Sequence, residues 1–211
     1  MKNKDQIHRF NQGISPVISS LLLLLIVLLM CGAIFMNAAG WMESNDLTAV
    51  KPVKIELVDA SCGNHADDNS RFQDNVLILK NVGGNPVPVG EISLKMTGKG
   101  DAYQGIPGSG GKMIIGDIEI RYEHLNVTDK NPNYQKQNAE MLKDGIWSPG
   151  EQLVLTGNDS KSSADSSVFV GVNGNFSTSN NYGLTAGETI DVVAFQSNQI
   201  VFKNTFSIPK K

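Results

Sequence analysis

Hydrophobic side chains are gathered at one end of this chain and spaced through the rest of it. From Val17 to Met36, twenty consecutive positions carry only two hydroxyl side chains, Ser19 and Ser20. Five leucines run unbroken from Leu21 to Leu25. An apolar surface that goes round the whole helix leaves no wet face, so a surface-lying amphipathic helix is excluded. About 20 helical residues span roughly 30 Å, the thickness of a bilayer's hydrocarbon core. Inside lipid each backbone polar group has to find its partner within the segment, and a helix provides that. The pattern predicts one membrane-spanning helix.

After Ser44 the period changes to two. Val53–Val58, Asn75–Lys80, Glu91–Met96, Ile114–Tyr122, Leu153–Leu155, Ser167–Val172, Ile190–Gln196 and Ile200–Ile208 read as strands. Gly83-Gly84-Asn85-Pro86, Gly108-Ser109-Gly110-Gly111, Ser148-Pro149-Gly150 and Gly187 punctuate them. Ser197-Asn198-Gln199 reads as the turn of a C-terminal hairpin. Residues 59–75 and 99–112 read as loops, and Tyr134–Lys143 as a short helix. The fold class expected is α+β: a long N-terminal hydrophobic helix followed by an antiparallel β-sandwich head, immunoglobulin-like or pilin-like. The expected division is a leader at 1–13, the apolar helix at 14–43 and a β-rich head at 44–211.

Charge changes the picture only at the N-terminus. The chain has 18 basic and 21 acidic side chains, a net charge of −3, and no basic stripe in the head, so nucleic acid is not an expected partner. Lys2, Lys4 and Arg9 against the single Asp5 precede the apolar run, which places the N-terminus in the cytoplasm and the head outside. Two cleavage readings follow. A secretory cut near Ala38-Ala39-Gly40 would remove the apolar segment. A cut between Gly13 and Ile14 would keep it, with Pro16 in the first helical turn, where a missing N–H costs little.

The short basic leader, Gln12-Gly13, the Ile14-Ser15-Pro16-Val17-Ile18 start and the aliphatic run resemble the class III signal of archaeal type IV pilins, of the adhesion type. Leu79–Val87 and the last strand pair, Glu188–Ile208, resemble the heads of that family in outline. The resemblance implies that a prepilin peptidase cuts between Gly13 and Ile14. It implies a filament core built from Ile14, Pro16, Val17, Ile18, Leu21, Leu22, Leu23, Leu24, Leu25, Ile26, Val27, Leu28, Leu29, Met30, Ile34 and Phe35. The implied partners are copies of the same chain, in a helical homopolymer, together with the pilus assembly machinery and the membrane. The implied function is adhesion. The glutamate that bacterial pilins carry at the fifth mature position is replaced here by Ile18, so core packing would be apolar alone. Two other readings are a membrane-anchored surface protein with a ligand- or glycan-binding head, and a minor pseudopilin-like part of a secretion machine.

Within the head, Asn126-Val127-Thr128, Asn158-Asp159-Ser160 and Asn175-Phe176-Ser177 fit the N-glycosylation acceptor pattern. The acidic stretch 59–75 lacks the glycine and distal glutamate of an EF-hand loop and reads as a solvated loop, with Ca²⁺ as the alternative. No metal and no cofactor are expected. Cys31 and Cys62 lie in different compartments of this layout, which argues against a disulfide between them, and Cys62 reads as a buried thiol. Nucleophile-elbow, zinc and dinucleotide signatures are absent, so no enzyme is expected. Asp117 and Glu119 share a strand face, and read as the wet side of a sheet sooner than as a catalytic pair.

Overall fold

The computed structural model describes residues 16–34, 52–62, 72–105, 110–161 and 165–210. An N-terminal apolar helix, α1 (Pro16–Ile34), is followed by a head of mostly antiparallel β-sheet, which makes the chain α+β. Contacts divide the chain into two units, Met1–Ala49 and Val50–Lys211.

In chain order the head contains β1 (Lys54–Ser61), a 3-10 turn at Phe72–Asp74, β2 (Val76–Gly83), β3 (Val87–Pro88), β4 (Ile92–Gln104) and β5 (Lys112–Tyr122). It continues with α2 (Pro132–Gln137), α3 (Ala139–Asp144), β6 (Ile146–Trp147), β7 (Gln152–Thr156), β8 (Val168–Val172), β9 (Gly183–Leu184), β10 (Thr189–Gln196) and β11 (Gln199–Ser207). One sheet has the order β1-β2-β7. A larger one runs β11-β10-β4-β5-β8, with β9 beside β4, and β3 pairs with β6 alone.

The period-two pattern explains which side of each strand is dry. Leu77 and Leu79 of β2, Leu153 and Leu155 of β7, Ile118, Ile120 and Tyr122 of β5, and Val192 and Ala194 of β10 all face one common core. Trp147 is fully enclosed in it. Burying one such side chain stabilises the fold by about 1.5–3 kcal/mol over leaving it wet.

All eight expected strands are present, and three two-residue strands join them. Several boundaries need correction. Residues 99–112 are not one loop: β4 runs on to Gln104 and β5 starts at Lys112. Gly100 has the look of a turn residue, but a Cβ on it would lie 2.2 Å from the Gly183 carbonyl oxygen, so the glycine makes room for β9. The loop at 59–75 begins later than expected, because β1 continues to Ser61; residues 63–71 lie outside the described ones. Cys62 is half-buried against the core, not enclosed. The C-terminal hairpin turns on Ser197 and Asn198 alone, both at positive φ, and Gln199 already pairs with Gln196.

The expected helix at Tyr134–Lys143 is two six-residue helices that meet at Asn138. There the backbone leaves the helical region (φ −110°, ψ 24°). The side chain accounts for the break. Asn138 Oδ1 accepts from the Val154 N–H at 2.7 Å, and its Nδ2 donates to the Val154 carbonyl at 2.9 Å. One amide side chain thereby occupies the outer edge of β7 as a neighbouring strand would. The outer edge of β8 is covered in a similar way. Thr178 Oγ1 donates to the Val170 carbonyl at 2.8 Å, and Val172 exchanges backbone bonds with Asn175.

Candidate functional site: the apolar helix and the polar groups of the head

Helix α1 has 19 residues, about 28 Å at the standard rise, which is long and apolar enough to cross a membrane. Its expected core residues Val17, Ile18, Leu21–Leu25, Ile26, Val27, Leu28, Leu29, Met30 and Ile34 are all exposed, between 47% (Ile26) and 67% (Ile34). Cys31 is exposed as well. Leaving such a set in water would cost on the order of tens of kcal/mol, so this helix needs a cover, lipid or protein. The helix also deals with its own polarity. Ser20 Oγ donates to the Val17 carbonyl at 2.9 Å, so that hydroxyl turns back on the backbone and away from the surroundings. Gly13, Ile14 and Phe35 lie outside the described residues.

The head holds a buried polar centre that the sequence reading did not anticipate. Asp159 is 1% exposed. Its carboxylate accepts from the Thr156 N–H (2.8 Å), the Thr156 hydroxyl (2.5 Å) and the Tyr122 hydroxyl (2.9 Å), and Tyr122 in turn meets Tyr182 at 3.0 Å. Burial outweighs these donors and pushes Asp159 up to about 6. Nearby, Lys130 is 6% exposed. Its Nζ donates to the carbonyls of His124 (2.7 Å) and Asn126 (2.9 Å) and to Ser167 Oγ (3.0 Å), and lies 5.2 Å from the Tyr134 ring centroid. Burial brings it down to about 8, against the pull of Asp159 and two further carboxylates. The same desolvation, with the Lys130 charge, lowers His124. Hydrogen bonds to neighbouring strands and turns tie Asp159 and Lys130 into the fold, which makes both internal fasteners of the head.

The outward face of the larger sheet carries the Asp117/Glu119 pair. Asp117 meets Lys99 Nζ at 2.5 Å, and Glu119 meets Lys95 at 3.1 Å and also Arg121. Each carboxylate is therefore matched by a cation, the arrangement of a solvated sheet face. Solvent screens exposed pairs of this kind, so they add little to stability. They form one wall of an open groove of about 430 Å³, whose other walls include Phe176, Glu188 and Asp191. Among the described residues, no three His, Cys, Asp or Glu side chains gather closely enough to hold a metal ion.

The three acceptor triplets sit in different surroundings. Asn175 and Ser177 are exposed, Asn126 and Asn158 are half-buried, and Ser160 is buried. No family model, no curated protein and no solved structure matches this chain. The signal that would have found Asp159 in the sequence is slight. Thr156-Gly157-Asn158-Asp159 is a turn in which a side chain can bond back three residues, but Asn158 and Asp159 also open an acceptor triplet with Ser160.

Proposed function

We propose that this chain is the subunit of a surface filament of the type IV pilin kind. The leader is cut between Gly13 and Ile14, the apolar helix is held in the membrane, and it later packs against the helices of other copies as the core of a fibre. The head is a β-sandwich that forms the outer sheath and makes the adhesive contacts. The observation that carries this reading is a 19-residue helix, long and apolar enough to cross a membrane, whose apolar side chains are exposed on every side.

Lipid tails are as apolar as leucine, so helices have little reason to associate while they remain in the bilayer. In a fibre, close packing of Leu21–Leu29 against equivalent helices would supply the dispersion contacts that hold the polymer. Ile18 leaves that packing without a charge pair to set its register. The basic leader residues keep the N-terminus inside and the head outside until extraction.

The experiment is to shear surface filaments from cells and look for this chain in them, alongside a Leu24→Asp variant. The wild type is expected in the sheared fibres. The variant is expected to be absent from them, because one charge at the helix centre costs about 3 kcal/mol in insertion and would be unpaired in the core. Fibres that incorporate the variant at the wild-type level would contradict the proposal.

A further inference from the structure

The turn after β8 shows what distinguishes the three acceptor triplets. The chain reverses through Asn173 and Gly174, at φ of 52° and 76°. That is the Asn-Gly pair favoured in tight two-residue hairpins. Asn175 follows at once, and Val172 and Asn175 exchange both backbone hydrogen bonds at 3.0 Å. The turn is pinned on both sides. Asn173 Oδ1 accepts from the Asp117 N–H at 2.9 Å, which ties it to β5. Phe176 lies over Gly171, where a Cβ would come within 2.8 Å of the ring, and the Arg121 guanidinium carbon sits 5.0 Å from the ring centroid.

Asn175 and Ser177 stand exposed on this rigid support. Asn175 Oδ1 accepts from the Ser177 N–H at 2.8 Å. This orients the carboxamide and draws the hydroxyl residue close to it. Neither Asn175 Nδ2 nor the Ser177 hydroxyl has a hydrogen-bond partner among the described residues.

The other two triplets differ. Ser160 is 8% exposed and its hydroxyl donates to Asn181 Oδ1 at 2.9 Å, while Asn158 is half-buried beside the Thr156 hydroxyl that Asp159 already takes. The residue between them is Asp159, the centre of the buried network. Asn126 has the same local turn as Asn175, with Oδ1 accepting from the Thr128 N–H at 3.1 Å. It is half-buried, however, and its backbone carbonyl is held by Lys130 Nζ at 2.9 Å.

We infer that the folded head is modified at Asn175, and not at Asn126 or Asn158, by an N-linked sugar donated from a lipid-phosphate-linked oligosaccharide. A bond forms between Asn175 Nδ2 and the sugar's anomeric carbon. The bond from that carbon to the lipid phosphate oxygen breaks, the phosphate leaves with the electron pair, and Nδ2 releases one proton. The inference rests on the outward orientation of the head stated above.

The test is peptide mass spectrometry of the full chain isolated from the cells that make it, with Asn175→Gln and Ser177→Ala alongside. The wild type is expected to carry sugar mass on the peptide containing Asn175, with the peptides of Asn126 and Asn158 bare. Both variants are expected to lose that mass. Ser177→Ala keeps the backbone N–H that Asn175 accepts from, so its loss of sugar reports the hydroxyl and not a collapsed turn. A bare Asn175 in the wild type, or sugar on Asn126 or Asn158, overturns the inference. Protease treatment of intact cells separates the causes. If the head is cut and Asn175 is bare, the acceptor assignment alone fails; if the head is protected as well, the orientation fails with it.

Discussion

Asp159 and Asn138 show how single side chains hold the head together. Asp159 is held up to about 6 by burial, against an ordinary value of 3.8. The folded state therefore keeps a proton that the unfolded chain has already released between these two values. Its contribution to stability is greatest below pH 4 and falls by about 3 kcal/mol as the pH rises from there towards 6. Lys130 has the opposite sign. Its folded value of about 8 lies below the ordinary 10.5, so stability rises with pH between those values. Urea unfolding of the full chain in detergent, followed through the fluorescence of its two tryptophans, is expected to show the wild type losing stability from pH 4 to pH 6. Asp159→Asn is expected to be weaker at pH 4 and to show less of that decline; an unchanged slope would remove Asp159 as its source. Asn138→Ala opens two hydrogen bonds at the edge of β7 and is expected to cost about 1–3 kcal/mol in the same assay. Neither role was legible in the sequence, because both depend on partners brought in by the fold: Tyr122 lies 37 residues from Asp159, and Val154 lies 16 from Asn138.

Among the elements, legibility followed the strength of the local signal. Helix α1 and the eight longer strands announce themselves by period, because burial of one face demands it. The strands β3, β6 and β9 are too short for any period to show, and Gly100 suggests a loop because a glycine serves both a turn and a close approach of two strands. Gly84 is a case where the two uses coincide. It has φ of 97°, and a Cβ there would lie 2.4 Å from the Pro52 carbonyl oxygen. Gly84→Ala is expected to lower stability by at least about 1 kcal/mol, since both the backbone angle and the space oppose it. A variant as stable as the wild type would mean that the turn after β2 relaxes freely. The helix α2/α3 break was hidden for a third reason. Asn138 is an ordinary letter in a polar helical run, and only the edge of β7 gives it a reason to leave the helix.

At the scale of the whole molecule, an exposed apolar helix and a head with its own core are two units with different needs. The head satisfies itself: Leu79, Ile120, Trp147 and Val170 are enclosed, and side chains cover the outer edges of β7 and β8. The helix cannot do so, and whatever covers it defines what the chain is for. A signal peptide, a permanent anchor and a filament core put the same 19 residues to three uses, and each use leaves a different mature chain. The residue that begins the mature protein separates them most directly. Sequencing the N-terminus of the protein recovered from the cell surface is expected to return Ile14-Ser15-Pro16-Val17, with the helix retained behind it. A chain that begins at Met1, or one cut near Gly40 so that the helix is lost, would contradict the filament account.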